Sequence, residues 1–511
     1  MNIARRALKG IFWSYATYIW QRLLTLATTA ILARLLVPED FGLIAFAIII
    51  MALIESVRGF GINDALIYTS EKVEEAAETA FVINTVIGFV QFALAYFLAP
   101  YATNFFDDAR IVDVLRIISL VFIFDGLGKT HSAMLEKELK FRRSAMPNII
   151  ATAIKGLVSI VLAFMGFGVW SIVFGQVIGS ITRMIARWWT LRWIPRLHFY
   201  TERARALWDY GVHVLIFTLL NVALEQADQI LIGTMLGQLQ LGYYAIGVRF
   251  PELVIANFSL ILTKALFPAF SKFQNDVAKM KNGYLMTTKY TAFLTVPMGL
   301  GMVAVAREVV LVIFGSQWEP AIILMQVLAL LGMVATLQWS VGDVLKALGR
   351  PDVLTKLQVV EAIYTFPMIY GFVVVGRLAV MASLANLIAI TMGAITRMFV
   401  IARFLDIKPK VFYTMFRSPF VNATIMVFVI WVWRTFAYSL GLPLLVILIT
   451  SIVIGIIVYA AGMWLMEKDA LLKAREMVLS TIRSKKGDDD EDDNDDNENP
   501  EIADKSDLME E

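Results

Sequence analysis

Apolar windows long enough to cross a bilayer recur along almost the whole chain, and that recurrence restricts the fold more than any motif does. A hydrocarbon core of about 30 Å takes roughly 20 apolar residues of helix, and with no water there an open backbone cannot be tolerated. Windows of this kind fall at 11–34, 41–63, 79–102, 111–131, 147–166, 168–190, 208–235, 240–268, 286–306, 320–345, 354–375, 378–402, 417–437 and 442–465. The chain therefore reads as an all-α polytopic membrane protein of about 14 transmembrane helices. A charged fraction of 17%, against about 25% in soluble proteins, agrees with this reading.

The connections alternate in charge, as a membrane topology requires. Lys137, Lys140, Arg142 and Arg143 lie in one basic connection, and Lys346, Arg350, Lys408 and Lys410 lie in later ones of the same set. Between them come short connections poor in Lys and Arg, among them Val37 to Asp40, Asn104 to Arg110, Gly237 to Leu239 and Gly315 to Glu319. The basic loops and both termini are expected in the cytoplasm. Arg5, Arg6 and Lys9 precede an apolar run that continues through Arg22 to Leu36, too long for the h-region of a signal peptide, so this run is read as the first membrane helix. Residues 467–486 form a basic amphipathic segment, and 487–511 an acidic tail whose composition predicts disorder.

The stretch from Trp208 to Lys272 reads as a helical hairpin, and its frame occurs once more 200 positions earlier. Leu36, Gly42, Ala45, Leu53, Ala65 and Leu66 match Leu236, Gly242, Ala245, Leu253, Ala265 and Leu266 in register. Four charges fail to repeat: Glu225, Asp228, Arg249 and Glu252 stand opposite Thr25, Thr28, Ile49 and Ala52. The scaffold does not need them, so they are candidates for function. A charge within a membrane span faces a bundle interior or a wet cavity as a rule, which adds Arg22, Glu55 and Lys155 to the candidate transport residues. Lys264 and Glu361 are weaker candidates. Glu225 and Asp228, three residues apart on one helix, are expected to share a face and a proton. Arg249 and Glu252 have the same spacing and are expected either to neutralise each other or to serve transport.

Other signals are weaker. Gly126-Leu-Gly-Lys-Thr130 lacks the first glycine of a phosphate-binding loop, since Ile123 stands in its place. Trp13, Trp20, Trp188, Trp189, Trp193, Trp318 and Trp431 are read as interface belts at helix ends. No cysteine and only three histidines make a thiolate or histidine metal centre improbable.

Several motifs together resemble the polysaccharide transporter family, the Wzx-type flippases of the multidrug/oligosaccharidyl-lipid/polysaccharide exporter superfamily. They are Lys9 to Ser14, Ala33 to Leu43, Leu135 to Arg143, Gly166 to Trp170, Gln226 to Gly233, Leu241 to Ala245 and Ala347 to Pro351. The resemblance implies two pseudo-symmetric lobes, residues 1–200 and 201–410, followed by two additional helices over 411–466. It also implies alternating access, a cavity lined by the first, second, seventh and eighth helices, and no enzymatic activity. The cargo would be an isoprenoid-pyrophosphate-linked oligosaccharide, carried across the cell inner membrane for lipopolysaccharide or exopolysaccharide synthesis. No cofactor is implied beyond a coupling proton or sodium ion. The implied partners are membrane lipids, a polysaccharide polymerase and a chain-length regulator, with no nucleic acid. In this reading Arg22, Arg249 and Lys155 would meet the phosphates, and Glu225, Asp228 and Glu252 would balance them, touch sugar hydroxyls or bind the coupling ion. A drug or cation antiporter on the same fold is the alternative, and a membrane-bound oligosaccharide polymerase is a more distant one.

Overall fold

Outside turns and the extended stretch 192–200, every described segment is helical in the computed structural model. It describes residues 3–56, 63, 66, 67, 72–106, 108–138, 140–200, 222, 225–256, 270 and 276–498, without the side chains of 3–16, 141, 474, 475 and 477–498. The helices are α1 (Ile3–Leu35), α2 (Pro38–Ser56), α3 (Val73–Leu98), α4 (Arg110–Ile118), α5 (Leu120–Lys137), α6 (Phe141–Phe164) and α7 (Val169–Thr190). There follow α8 (Ala227–Gly247), α9 (Val277–Ile313), α10 (Ala321–Ala347), α11 (Pro351–Gly376), α12 (Ala379–Phe404), α13 (Pro409–Ser439) and α14 (Leu444–Glu498). Among the described residues nine of these helices, α3, α6, α7 and α9 to α14, are long and apolar enough to cross a membrane. Windows 41–63, 208–235 and 240–268 are described only in part, and Lys264 lies outside the described residues.

One group of helices is built by α1 on α6, α6 on α7, and α5 on α3 and α7; the other by α9 on α10, α10 on α12 and α12 on α11, with α13 and α14 packed on α9. The two groups meet along α2 and α8. Within α8 the chain reverses at Gly237, whose φ of 78° lies in the left-handed region that a residue with a Cβ seldom enters, so α8 is two limbs of a hairpin. Just past that turn the repeat closes on itself. A Cβ on Gly42 would lie 1.8 Å from the Gln238 carbonyl oxygen, and a Cβ on Gly242 would lie 2.0 Å from the Pro38 carbonyl oxygen. Position 42 is the counterpart of 242, and 38 of 238, so one contact is the mirror of the other, as a two-fold relation requires. Two bare backbones cross here because neither carries a side chain.

The same end of the molecule is tied further. Trp318 is fully buried and its indole donates to the Ala33 carbonyl at 2.8 Å. Gln317 donates to the Ala33 and Leu36 carbonyls, and Arg34 to those of Val312 and Ile313. Trp318 is thus a clasp between α1 and the turn after α9, rather than the interface anchor its position near a helix end suggested. Trp20, Trp189 and Trp431 are exposed, as belt residues would be.

The buried cores divide by depth. At the Gly237 end, one core joins Leu32, Leu36 and Phe41 to Ile246 and Trp318, and a second joins Leu43, Phe46 and Val173 to Leu241, Leu324 and Ala379. At the opposite end, where the basic loops lie, the cores are separate. Leu66, Ala76, Ala80 and Ala133 form one, and Met280, Tyr284, Val344 and Ile401 belong to the other. The molecule is fused at one end and divided at the other.

Two further stretches have a definite place. Gly126 to Thr130 lies inside α5, where Gly126 serves helix crossing: a Cβ there would fall 2.7 Å from the Asn84 carbonyl oxygen on α3. The backbone of α14 runs past a break at Glu467 (φ −135°) to Glu498, through the acidic run expected to be disordered. Extending an existing helix takes one hydrogen bond per residue fixed, whereas starting one is unfavourable, so a polar run can continue a helix that it could not begin.

Candidate substrate cavity

Where the two helix groups separate, α1, α2, α6, α7 and the second limb of α8 enclose a cavity of about 220 Å³. Its polar wall consists of Thr25, Thr28 and Thr29 from α1, Thr152, Lys155 and Ser159 from α6, Gln176 from α7, and Arg249 just past α8. Leu32, Phe41, Ile44 and Ile48 complete it on the side of the glycine crossing. None of its lining residues is acidic.

Small residues bring these helices together. On α7, Gly175 and Gly179 let α6 approach so closely that added Cβ atoms would lie 1.9 Å from Ser159 Oγ and 2.9 Å from Lys155 Cβ. The stem of Lys155 therefore lies against bare backbone. Gly156 does the same for α1, with an added Cβ 2.5 Å from Thr28 Oγ1. Thr25 and Thr152 donate to the carbonyls of Gln21 and Asn148 four residues back, each at 2.8 Å. This occupies their protons within the helix and leaves oxygen lone pairs at the wall.

Lys155 and Arg249, from opposite helix groups, are brought into one cavity, and the buried Nε of Arg249 has no hydrogen-bond partner. An ammonium or guanidinium held away from bulk water without a counter-ion is unfavourable unless an anion joins it.

Arg22 and Glu252 meet one turn away, toward the basic-loop end. Arg22 Nη1 lies 3.1 Å from Glu252 Oε1, and Arg22 Nε and Nη2 donate to the Tyr18 hydroxyl at 3.2 and 3.1 Å. This ion pair links α1 to the other helix group. Arg249 and Glu252 lie on one helical turn, with the Glu252 amide bonded to the Val248 carbonyl at 2.9 Å, but the carboxylate makes its ion pair with Arg22, and a π-turn follows over Glu252–Ala256.

The remaining candidates lie elsewhere. Asp228 is buried and accepts from the Tyr244 hydroxyl at 2.5 Å, from Asn386 Nδ2 at 3.1 Å and from the Gln229 amide at 2.8 Å, which ties both limbs of α8 to α12. Glu225 precedes α8 and is exposed, so the two carboxylates do not share a face. Glu55 is exposed on α2. Glu361 makes a two-pronged pair with Arg397 at 2.6 and 2.5 Å between α11 and α12.

The repeat singles out charges and does not point to the α1 threonines that stand opposite them. The signal was present: Thr17, Gln21, Thr25 and Thr28 recur at helical spacing and mark one polar face of α1. Arg183, paired with Asp125 at 3.1 Å, and the adjoining Arg187 of α7 were likewise missed.

A sequence model of the family described as "Polysaccharide biosynthesis protein" matches residues 31–323. The succinoglycan biosynthesis transport protein ExoT of Rhizobium meliloti is 26% identical over 71% of this chain and 73% of its own length. The lipopolysaccharide biosynthesis protein WzxC of Escherichia coli is 23% identical over 89% of each chain. Among solved structures, the lipid II flippase MurJ in an inward closed conformation superposes with a TM-score of 0.70 at 18% identity, covering 90% of this chain and all of that one. An inward-facing multidrug resistance transporter of the MATE family follows at 0.59 and 15% identity, over 76% of this chain and 94% of its own. The low identities show a shared fold. With more than half its length matched by the family model, this chain belongs to the polysaccharide biosynthesis protein family of membrane transporters.

Proposed function

We propose that the protein is a flippase for isoprenoid-pyrophosphate-linked oligosaccharides, acting in the cell inner membrane for surface polysaccharide or exopolysaccharide synthesis. The observation that carries this reading is the pairing of Lys155 with Arg249 in a cavity whose wall holds threonine, serine and glutamine but no carboxylate. A pyrophosphate entering it exchanges its lost hydration for two cations and several hydroxyls. A cationic drug would meet repulsion, which speaks against the antiporter. The relatives' names, with succinoglycan and lipopolysaccharide biosynthesis among them, support the same cargo class.

The basic-loop end is taken as cytoplasmic by the charge rule. The fused end, with its glycine crossing, then closes the outer side, and the divided end admits cargo from within. The Arg22–Glu252 pair spans the entrance as a latch. Both side chains are 36% exposed, and surface pairs contribute about 1 kcal/mol or less, weak enough to open in each cycle. Released cargo would pass to a polysaccharide polymerase and chain-length regulator.

Complementation of glycan export in a strain lacking its own transporter tests the cavity. Lys155→Ala and Arg249→Ala should each reduce export about 10- to 100-fold at normal membrane levels, since a hydrogen bond to a charged group contributes about 1.5–3 kcal/mol. Wild-type export by the double variant would refute the assignment.

A further inference from the structure

Toward the basic-loop end from the cationic cavity lies a second pocket, of about 260 Å³, lined by Thr17, Tyr18 and Gln21 of α1, Glu136 of α5, and Ser144, Ala145 and Asn148 of α6. Its chemistry is the complement of the first. No cation lines it, and only Ala145 lacks a polar atom in its side chain. Ser132 and Ser144 both donate to Oε1 of Glu136, at 3.1 and 3.3 Å. Oε2 accepts no bond from the described residues, and the amides of Gln21 and Asn148 likewise engage no described side chain or backbone group. The wall therefore offers donors and acceptors side by side, with a carboxylate oxygen among them.

We propose that this pocket binds uncharged sugar of the cargo, while its pyrophosphate occupies the cavity of Lys155 and Arg249; the inference rests on the flippase reading above. A sugar hydroxyl is at once donor and acceptor, which a wall of amide, hydroxyl and carboxylate groups can satisfy on both counts. A phosphate would be repelled by Glu136 and find no cation among the lining residues. An isoprenoid chain would leave the polar groups unpaired, at a cost for each.

The placement fits one extended ligand. Two helices that supply eight of the 17 residues lining the first pocket, α1 and α6, also supply the second, and in the same order along both helices: Thr17 to Gln21 then Thr25 to Leu32, and Ser144 to Asn148 then Thr152 to Ser159. On each helix the centres of the two groups are separated by roughly 15 Å at the α-helical rise. That leaves room for a short saccharide to continue from a bound pyrophosphate. Tyr18 lines the sugar pocket and also accepts both hydrogen bonds of Arg22, which holds Glu252 across the entrance. A sugar hydroxyl competing for the Tyr18 oxygen would loosen Arg22 and with it the latch.

Two probes separate the subsites: farnesyl pyrophosphate, which has no sugar, and the lipid-linked oligosaccharide extracted from cells depleted of this protein. Both are titrated against the purified full-length chain in nanodiscs, with thermal melting of each variant as the folding control. Asn148→Ala and Glu136→Gln should raise the Kd for the oligosaccharide lipid about tenfold and leave that for farnesyl pyrophosphate unchanged. Gln21→Ala provides a second route should either variant fold poorly. Lys155→Ala should weaken both ligands. Wild-type affinity of the pocket variants for the oligosaccharide lipid, or equal weakening of both probes, would overturn the sugar subsite. If the wild type fails to bind farnesyl pyrophosphate yet loses oligosaccharide lipid on Asn148→Ala, the pyrophosphate assignment falls and the sugar pocket stands.

Discussion

Glu252 stands opposite Ala52 in the repeat and is three residues from Arg249, one turn along the same helix. Glu252 makes its ion pair with Arg22 on the other helix group, and Arg249 lines the cavity. A latch role makes a specific demand, that sign matter at each end but not which residue carries it. Arg22→Glu should therefore lose export about tenfold or more, and the exchange Arg22→Glu with Glu252→Arg should recover most of it in the complementation assay. A double variant as inactive as the single would mean that Arg22 meets the cargo directly. At this scale the sequence was legible where a residue carries a full charge in apolar surroundings, as at Lys155 and Arg249. It was misleading where a charge is locally satisfied, as in the Asp228–Tyr244–Asn386 cluster. It was nearly silent on Thr25 and Thr28, whose hydroxyls are compatible with any helix interior. Only their placement opposite α6 makes them part of a site.

Between elements, the crossing of α2 with the turn of α8 joins the two helix groups at the end that the proposed function places outside, and two glycines permit it. The register of Gly42 and Gly242 could be read from the chain, but not that each would lie on the backbone four residues before the other. Alanine at either position forces backbone apart, and overpacking of this kind costs typically 1–3 kcal/mol. That strain is relieved when the outer end opens, so Gly42→Ala or Gly242→Ala should shift the protein toward an outward-open state. The chain has no cysteine, so a single reporter is free of background. With Ala45→Cys in the cavity wall, a maleimide that does not cross membranes, applied outside, should label the glycine variants about tenfold faster than the glycine parent. Unchanged labelling of a folded variant would show that the crossing is a structural hinge and not the outer seal.

Across the whole molecule, the number and order of helices followed from hydrophobic length and from the alternation of basic loops. Both are one-dimensional signals that the bilayer imposes on any chain that spans it. The division into a fused end and a parted end was not legible, because it depends on which apolar faces meet in space. Phe41 and Trp318, for example, pack edge to face with centroids 5.2 Å apart although 277 positions separate them. In the proposed function that asymmetry opens the cavity to the cytoplasm, and it gives the central claim its most direct test. Spheroplasts depleted of the protein are exposed to periodate from outside, and the oxidised fraction of the lipid-linked oligosaccharide is measured. If the protein flips this lipid, depletion should raise the total and move most of it into the protected, inner-leaflet fraction, and re-expression should restore access. Accumulated lipid that stays open to periodate would place the protein after translocation, as a polymerase would be, and would contradict the account.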